Sequence, residues 1–267
     1  MSRIRALLAK ELADLRQNPG VFVPAIFTSC VALALPFIVA IVVPAMFGEG
    51  LADSGDVELA REVYRTRPAA RALGVEGAIQ VWVFERFLVM LAMSPVAVSM
   101  SVAAYSVIGE KQARTLEPLL ATPITTVELL AAKVLASFLP ALALAAAVFG
   151  CYLLGIQLFA RPGVARTLIA PQPLAIMLLL TPLAALASLQ LAVCASARAN
   201  DARSAQQIAS LILLPLAGLL VLQLMGAFDL TTPPVIAMAI GLAALNAALM
   251  WIAVVVFDRE SILTRWK

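Results

Sequence analysis

Glu110, Lys111, Arg114 and Glu117 crowd into one short stretch of the chain. It is part of "GEKQARTLEPLLATPITTVELLAAK" (109–133), where three acidic and three basic residues sit between two long apolar runs. Charges of both signs on a short segment offer recognition of a partner surface rather than bond-making. The residues that would make bonds are missing. No histidine is present anywhere, which excludes Ser-His-Asp and Cys-His catalysis and the usual zinc sites. None of the four lysines follows the glycines of G-x-x-x-x-G-K-[ST], so the chain does not cradle ATP in a P-loop. No acidic pair lies deep in an apolar run, as a proton- or sodium-coupled carrier would use. Cys30, Cys151 and Cys194 each fall inside an apolar run and read as buried free thiols, with no disulfide framework or metal cluster. Gln190, Gln223 and Asn246 read as interhelical hydrogen-bonding groups, with substrate contact as the second reading. The expectation is a chain without catalytic, cofactor-binding or metal-ligating residues.

The elements that carry the charged stretch follow from hydropathy. Mean hydropathy is +0.98, and only 13% of residues are charged. Between the charges lie six uncharged runs, at 21–48, 87–109, 134–160, 167–197, 204–228 and 230–257. Each exceeds the roughly 20 residues that a helix needs to cross a hydrocarbon core. They do not alternate as barrel strands would. The expected fold is therefore an all-α integral membrane domain spanning residues 1–267. Its transmembrane helices are expected at 21–47, 87–108, 134–159, 172–195, 208–227 and 235–257. The first run is too long, and starts too late, for a cleavable signal peptide. An even number of spans puts both termini on one side. All four lysines (Lys10, Lys111, Lys133 and Lys267) and most arginines fall on that side. Arg61, Arg65, Arg67, Arg71, Arg86, Arg161 and Arg166 fall on the other. The positive-inside rule then places the N- and C-termini in the cytoplasm.

Residues 3–18 carry Ile4, Leu7, Leu8, Leu12 and Leu15 at helical spacing, with charges on the remaining faces. That pattern predicts an amphipathic helix on the membrane surface within 1–20, broken by "NPG" at 18–20. The 48–81 segment is expected as an external loop, too short for a core of its own, with one helix around 56–66. Glu85 and Arg86 read as residents of the outer interface beside Trp82, in the aromatic belt. A functional ion pair between them in the outer vestibule is the second reading. Pro24, Pro36, Pro44, Pro95, Pro140, Pro182 and Pro215 lie within spans, where they kink helices.

Inside 109–133, Leu116, Leu119 and Leu120 fall at i, i+3 and i+4 and give a short helix an apolar stripe. Pro123 ends it, because the residue before proline resists helical geometry. Thr125 and Glu128 then form an S/T-x-x-E capping box that starts a helix running through Lys133 into the third span. The result is a capped, charged knob at the membrane surface, suited to receiving force from a soluble partner.

These residues resemble the cytoplasmic segment of ABC-2 type permeases, the membrane subunits of a class of ABC exporters. Glu110-Lys111 matches its acidic-basic start, Thr115-Leu116-Glu117 its core, Leu119-Leu120-Ala121-Thr122-Pro123 its turn, and Lys133 its final lysine. Arg114 stands where many members have glycine. "AKELADLRQNPG" (9–20) is similar to the family's N-terminal surface helix, and 196–216 to its connection between spans four and five. The resemblance implies a dimer of membrane domains, with a second permease subunit identical or homologous to this one. It also implies two cytoplasmic ABC ATPase subunits that bind the ATP and magnesium. Residues 110–123 would be the coupling helix between spans two and three, seated on the ATPase through Glu110, Lys111, Arg114, Thr115, Leu116, Glu117, Leu120, Thr122 and Pro123. The implied setting is the plasma or inner membrane of a bacterial or archaeal cell, with no nucleic-acid partner. Two rival readings remain at this point. One is an ATPase-coupled assembly or maturation factor that transports nothing; the other is an autonomous secondary transporter.

Overall fold

In a hydrocarbon layer the backbone of a long apolar run has no water to bond with, and the helix is the structure that satisfies it internally. The computed structural model describes residues 8–10, 13, 22–47, 61, 63–65, 68–112, 126–196, 201–227 and 230–256. These are helical almost throughout and hold no strand. Six stretches are long and apolar enough to cross a membrane.

The first span is α1 (Phe22–Phe37), which passes through a π-helical turn at Ile38–Val42 into α2 (Val43–Phe47). The π turn starts two residues after Pro36, where the missing amide already interrupts the ladder. A 3-10 turn at Pro68–Leu73 leads to α3 (Gly74–Arg86). A single turn residue, Phe87, separates α3 from α4 (Leu88–Gln112), the second span. The third span, α5 (Thr126–Phe159), has 34 residues and is about 51 Å long, well beyond a ~30 Å core. The short helices α6 (Val164–Thr167) and α7 (Pro171–Ala175) follow. A second π turn, Ile176–Leu180, joins α7 to α8 (Thr181–Ser196) and completes the fourth span. Thr181 donates to Ile176 O through its backbone N–H and again through Oγ1, at 2.8 Å, beside Pro182. The fifth span rises from α9 (Ala202–Ala209) through a 3-10 turn at Ser210–Ile212 into α10 (Leu213–Leu224). The sixth is α11 (Thr232–Val256).

The second and fourth spans form the middle of the bundle. Of their most apolar stretches 78% and 67% are buried, against 17–22% for the other four. Alanine and serine line their contact: Ala184, Ala185, Ala187, Ser188 and Ala192 of α8 are buried, as are Ala92, Ser99, Ala103 and Ala104 of α4. Small side chains let two backbones approach, and packing of this kind holds helices together where lipid offers no hydrophobic driving force. The outer spans present Phe27, Val31, Leu154, Leu158, Ile240 and Trp251 at the bundle surface. The first and second spans run antiparallel. Ser29 meets Ser94 at 2.8 Å, while Phe37, further along α1, meets Phe84, further back on the partner strand of chain.

Residues 68–81, expected within an external loop, are helical and packed. Ala70, Ala78, Ile79 and Val81 are buried in the same cluster as α1, α4 and α5. The pattern around Glu76 and Gln80 looks polar in sequence, but those two side chains are used on the neighbouring segment at Arg161. Of the helix expected around 56–66, residues 61 and 63–65 are helical, and the others lie outside the described residues. Of the N-terminal surface helix, residues 8–10 and 13 are helical, and the remainder is likewise outside them. The cysteine expectation needs correction. All three thiols are free, yet Cys30 and Cys151 are exposed and Cys194 is intermediate. Spans one and three lie at the periphery of the bundle, so their small residues face outward.

Candidate functional site

The charged linker joins α4 to α5, and both of its described ends are helical. α4 continues through Glu110 and Lys111 to Gln112, beyond the boundary expected at residue 108. α5 begins at Thr126, where a capping box of Thr125 and Glu128 would start it, and Glu128 lies in its first turn. Two turns in, Lys133 is only 2% exposed. Its Nζ donates to Ser106 Oγ at 3.2 Å and approaches Ser106 O at 3.5 Å. Close to the linker, α4 and α5 therefore meet through a charge-assisted hydrogen bond. The cluster beside them gathers α4 (Met100, Ala103, Ala104), α5 (Leu130) and α8 (Leu189, Ala192, Val193), with Ala205 and Ala209 of α9 and Ala253 of α11. Four of the six spans converge on this end of the bundle, together with the short α9 that leads to the fifth.

α9 is fastened to the same place. Asp201 caps it, accepting from Ser204 N and Ser204 Oγ at 2.8 Å each. Those bonds from Ser204 hold the Asp201 carboxyl below its ordinary value. Gln206 Nε2 donates to Ser101 Oγ of α4 at 2.8 Å, and Ser101 Oγ lies 2.9 Å from Ala97 O.

The opposite end is built on aromatic packing. Phe37, Phe84 and Tyr152 form a cluster with centroid separations of 5.3, 5.7 and 5.8 Å, two of the three contacts edge-to-face. Tyr152 Oη donates to Phe84 O at 2.9 Å and so ties α3 to α5. Arg161 pairs with Glu76, and its backbone N donates to Gln80 Oε1 at 2.9 Å. An apolar groove of about 480 Å³ opens beside this cluster. Cys30, Phe37 and Ile41 line one wall from the first span; Cys151, Gly155 and Phe159 line the other from the third.

Of the residues expected to meet a partner, Glu110 and Lys111 lie on the last turns of α4, and their side chains are outside the described residues. Arg114, Thr115, Leu116, Glu117, Leu120, Thr122 and Pro123 lie outside them altogether. Glu85 is half-buried and Arg86 is buried, at the end of α3. The Arg86 guanidinium lies 5.2 Å from the Trp82 ring centroid, a cation-π contact across the face expected of the pair. The amides follow their expected use in one case: Asn246 Nδ2 donates to Leu183 O at 3.0 Å and to Leu242 O at 2.8 Å. The Oε1 atoms of Gln190 and Gln223 are buried without a hydrogen-bond partner among the described residues.

Sequence reasoning missed the Lys133–Ser106 contact because it used each charge to mark where a span ends. The helix was expected to run through Lys133, as it does, but nothing in the sequence shows that this side chain turns inward onto α4. The serine pair Ser99 and Ser188 was equally hidden, since serine alone says nothing of which helix it faces.

No curated protein matches the chain. The model of a family described as ABC-2 family transporter protein matches residues 64–257, from just ahead of α3 through the whole of the sixth span. A six-span helical membrane protein with a charged segment between spans two and three, matched over most of its length, belongs to the ABC-2 transporter family and is a transmembrane permease component.

Proposed function

We propose that this chain is the membrane permease subunit of an ATP-driven export system and draws its energy from a separate cytoplasmic ATPase. The observation that supports this most is the convergence at the linker. Both helices leaving the charged 109–133 segment enter the cluster shared by α4, α5, α8, α9 and α11. A push on the linker reaches most of the bundle at once. Residues 110–123 then form the coupling helix, with Glu110, Lys111, Arg114 and Glu117 meeting complementary charges on the ATPase. The excess of lysine and arginine on this side makes it cytoplasmic.

In this reading the chain supplies no catalytic group. Two partner ATPases hold ATP and magnesium, and two permease subunits, identical or homologous, form the path. The outer-end pair Glu85 and Arg86 sits where the path opens to the exterior, and the protein resides in a bacterial or archaeal cell membrane.

The test is purification of the full chain from native membranes in a mild detergent, with co-eluting proteins identified by mass spectrometry. A P-loop ATPase in equal ratio is the expected result, and a second permease would define a heterodimer. Recovery of the chain alone, under conditions that keep other membrane complexes whole, overturns the reading in favour of an autonomous carrier. ATP-driven flux into vesicles then separates a transporter from an assembly factor, which would hydrolyse ATP and move nothing.

A further inference from the structure

We infer that Lys133 is a positioning residue that clamps the second and third spans together where the charged linker joins them. Displacement of that linker would then reach both spans as one body. The inference rests on the reading of 110–123 as the coupling element.

Three observations carry it. Lysine is almost never fully buried unless paired, and on a helix stem it ordinarily extends its ammonium to water. Lys133 lies within two turns of the start of α5, yet is 2% exposed. Its neighbours Leu130, Ala132, Ala136 and Ser137 on α5, and Ile108 on α4, are each 1% exposed. Second, the ammonium is bonded across the helix pair. Nζ lies 3.2 Å from Ser106 Oγ and 3.5 Å from Ser106 O, in the last two turns of α4. That is the end at which the helix macrodipole favours a cation. Third, a buried charge is weak evidence for stability, and its place between two helices is better explained by the register it fixes. With the contact made, sliding or splaying of α4 against α5 near the linker breaks a hydrogen bond to a buried ammonium, which is expensive.

The test uses the full chain in lipid nanodiscs, together with the ATPase that co-purifies with it. Variants are Lys133→Met, Lys133→Arg and Ser106→Ala. The first readout is hydrogen exchange without nucleotide. Lys133→Met and Ser106→Ala are expected to raise exchange at 104–112 and 126–137 by about tenfold, with 140–159 unchanged and Lys133→Arg close to the parent. Ser106→Ala serves if Lys133→Met does not insert. Unchanged exchange in both variants overturns the clamp, whatever the partner does. The second readout is one that a merely structural role would not move. With ATP and vanadate, exchange in the parent complex should change in 88–105 and 134–150 together. Lys133→Met should confine the change to one of the two spans while ATP hydrolysis persists. Joint response of both spans in Lys133→Met overturns the transmission role. Absence of any co-purifying ATPase counts against the permease reading, and the first readout still decides the clamp.

Discussion

The hydroxyls of Ser99 in α4 and Ser188 in α8 lie 3.1 Å apart, and each also sits against a carbonyl of the opposite helix. Ser99 Oγ is 2.9 Å from Ala185 O, and Ser188 Oγ is 3.2 Å from Val96 O. Neither residue has any exposed surface. The two central spans thus approach closely enough for side-chain oxygens to reach backbone, which only small residues permit. Ser99→Ala or Ser188→Ala should each cost roughly 0.5–1.5 kcal/mol, and a double-mutant cycle should give a coupling of about 0.6 kcal/mol. Ser99→Leu should cost more, about 1–3 kcal/mol, because the added carbons have no room. Unfolding in detergent checks the order; a Leu variant as stable as the parent would mean that α4 and α8 are not closely packed.

Gly155 is a second point of close approach. A Cβ there would fall 2.6 Å from Phe37 Cζ. That ring is held between Phe84 and Tyr152, so it cannot simply turn aside. Gly155→Ala should lose about 1–3 kcal/mol, and Phe37→Leu in the same chain should restore much of it. Additive losses in the double variant would show that the two residues do not share the space. Tyr152→Phe, which keeps the ring and removes only the bond to Phe84 O, should cost about 1 kcal/mol.

Asp201 makes the start of α9 sensitive to acid. Hydrogen bonds from Ser204 N and Ser204 Oγ lower the folded-state pKa of its carboxyl. A depressed carboxylate pKa means that the cap is fully present above the unfolded-state value and is lost as pH falls through the folded one. Hydrogen exchange at 202–206 should therefore be constant near neutrality and rise in acid. Asp201→Asn should keep the cap and flatten that acid dependence, while Asp201→Ala should raise exchange at every pH. An Asn variant with the parent's full acid response would place the titrating group elsewhere.

The linker itself is testable by function. Reversing the charge of Glu117 while breaking the turn at Pro123 should uncouple ATP hydrolysis from transport and leave membrane insertion intact. The check is a flux assay beside a measurement of ATPase rate in the same vesicles. Normal ATP-dependent export by the double variant would remove 110–123 as the coupling element.

How much of this was legible follows from what each feature depends on. Hydropathy and run length alone determine that the chain crosses a membrane six times as helices, because an unpaired backbone in lipid leaves no other choice. The described start of α5, Thr126, falls where the Thr125–Glu128 pattern places it, because such a pattern is local chemistry. The charged 109–133 segment stands out from its apolar background, and the family match extends across it.

Which helices are central was decided only in three dimensions. Beyond the polar α9 at the foot of the fifth and the charged first turns of the third, the spans are apolar on every side and carry no stripe that would show which face turns inward. The second and fourth sit in the middle because their alanines and serines allow close contact, a property of pairs of helices rather than of one. The same holds for α3, whose Glu76 and Gln80 look solvent-facing until Arg161 is brought beside them. It holds too for Cys30 and Cys151, which hydrophobicity alone sends inward and peripheral packing leaves exposed. Lys133 is the sharpest instance. Its charge marks the edge of a span when read along the chain, and only the fold turns it inward onto Ser106, because a hydrogen bond 27 residues away in sequence is nowhere encoded in the residues around it.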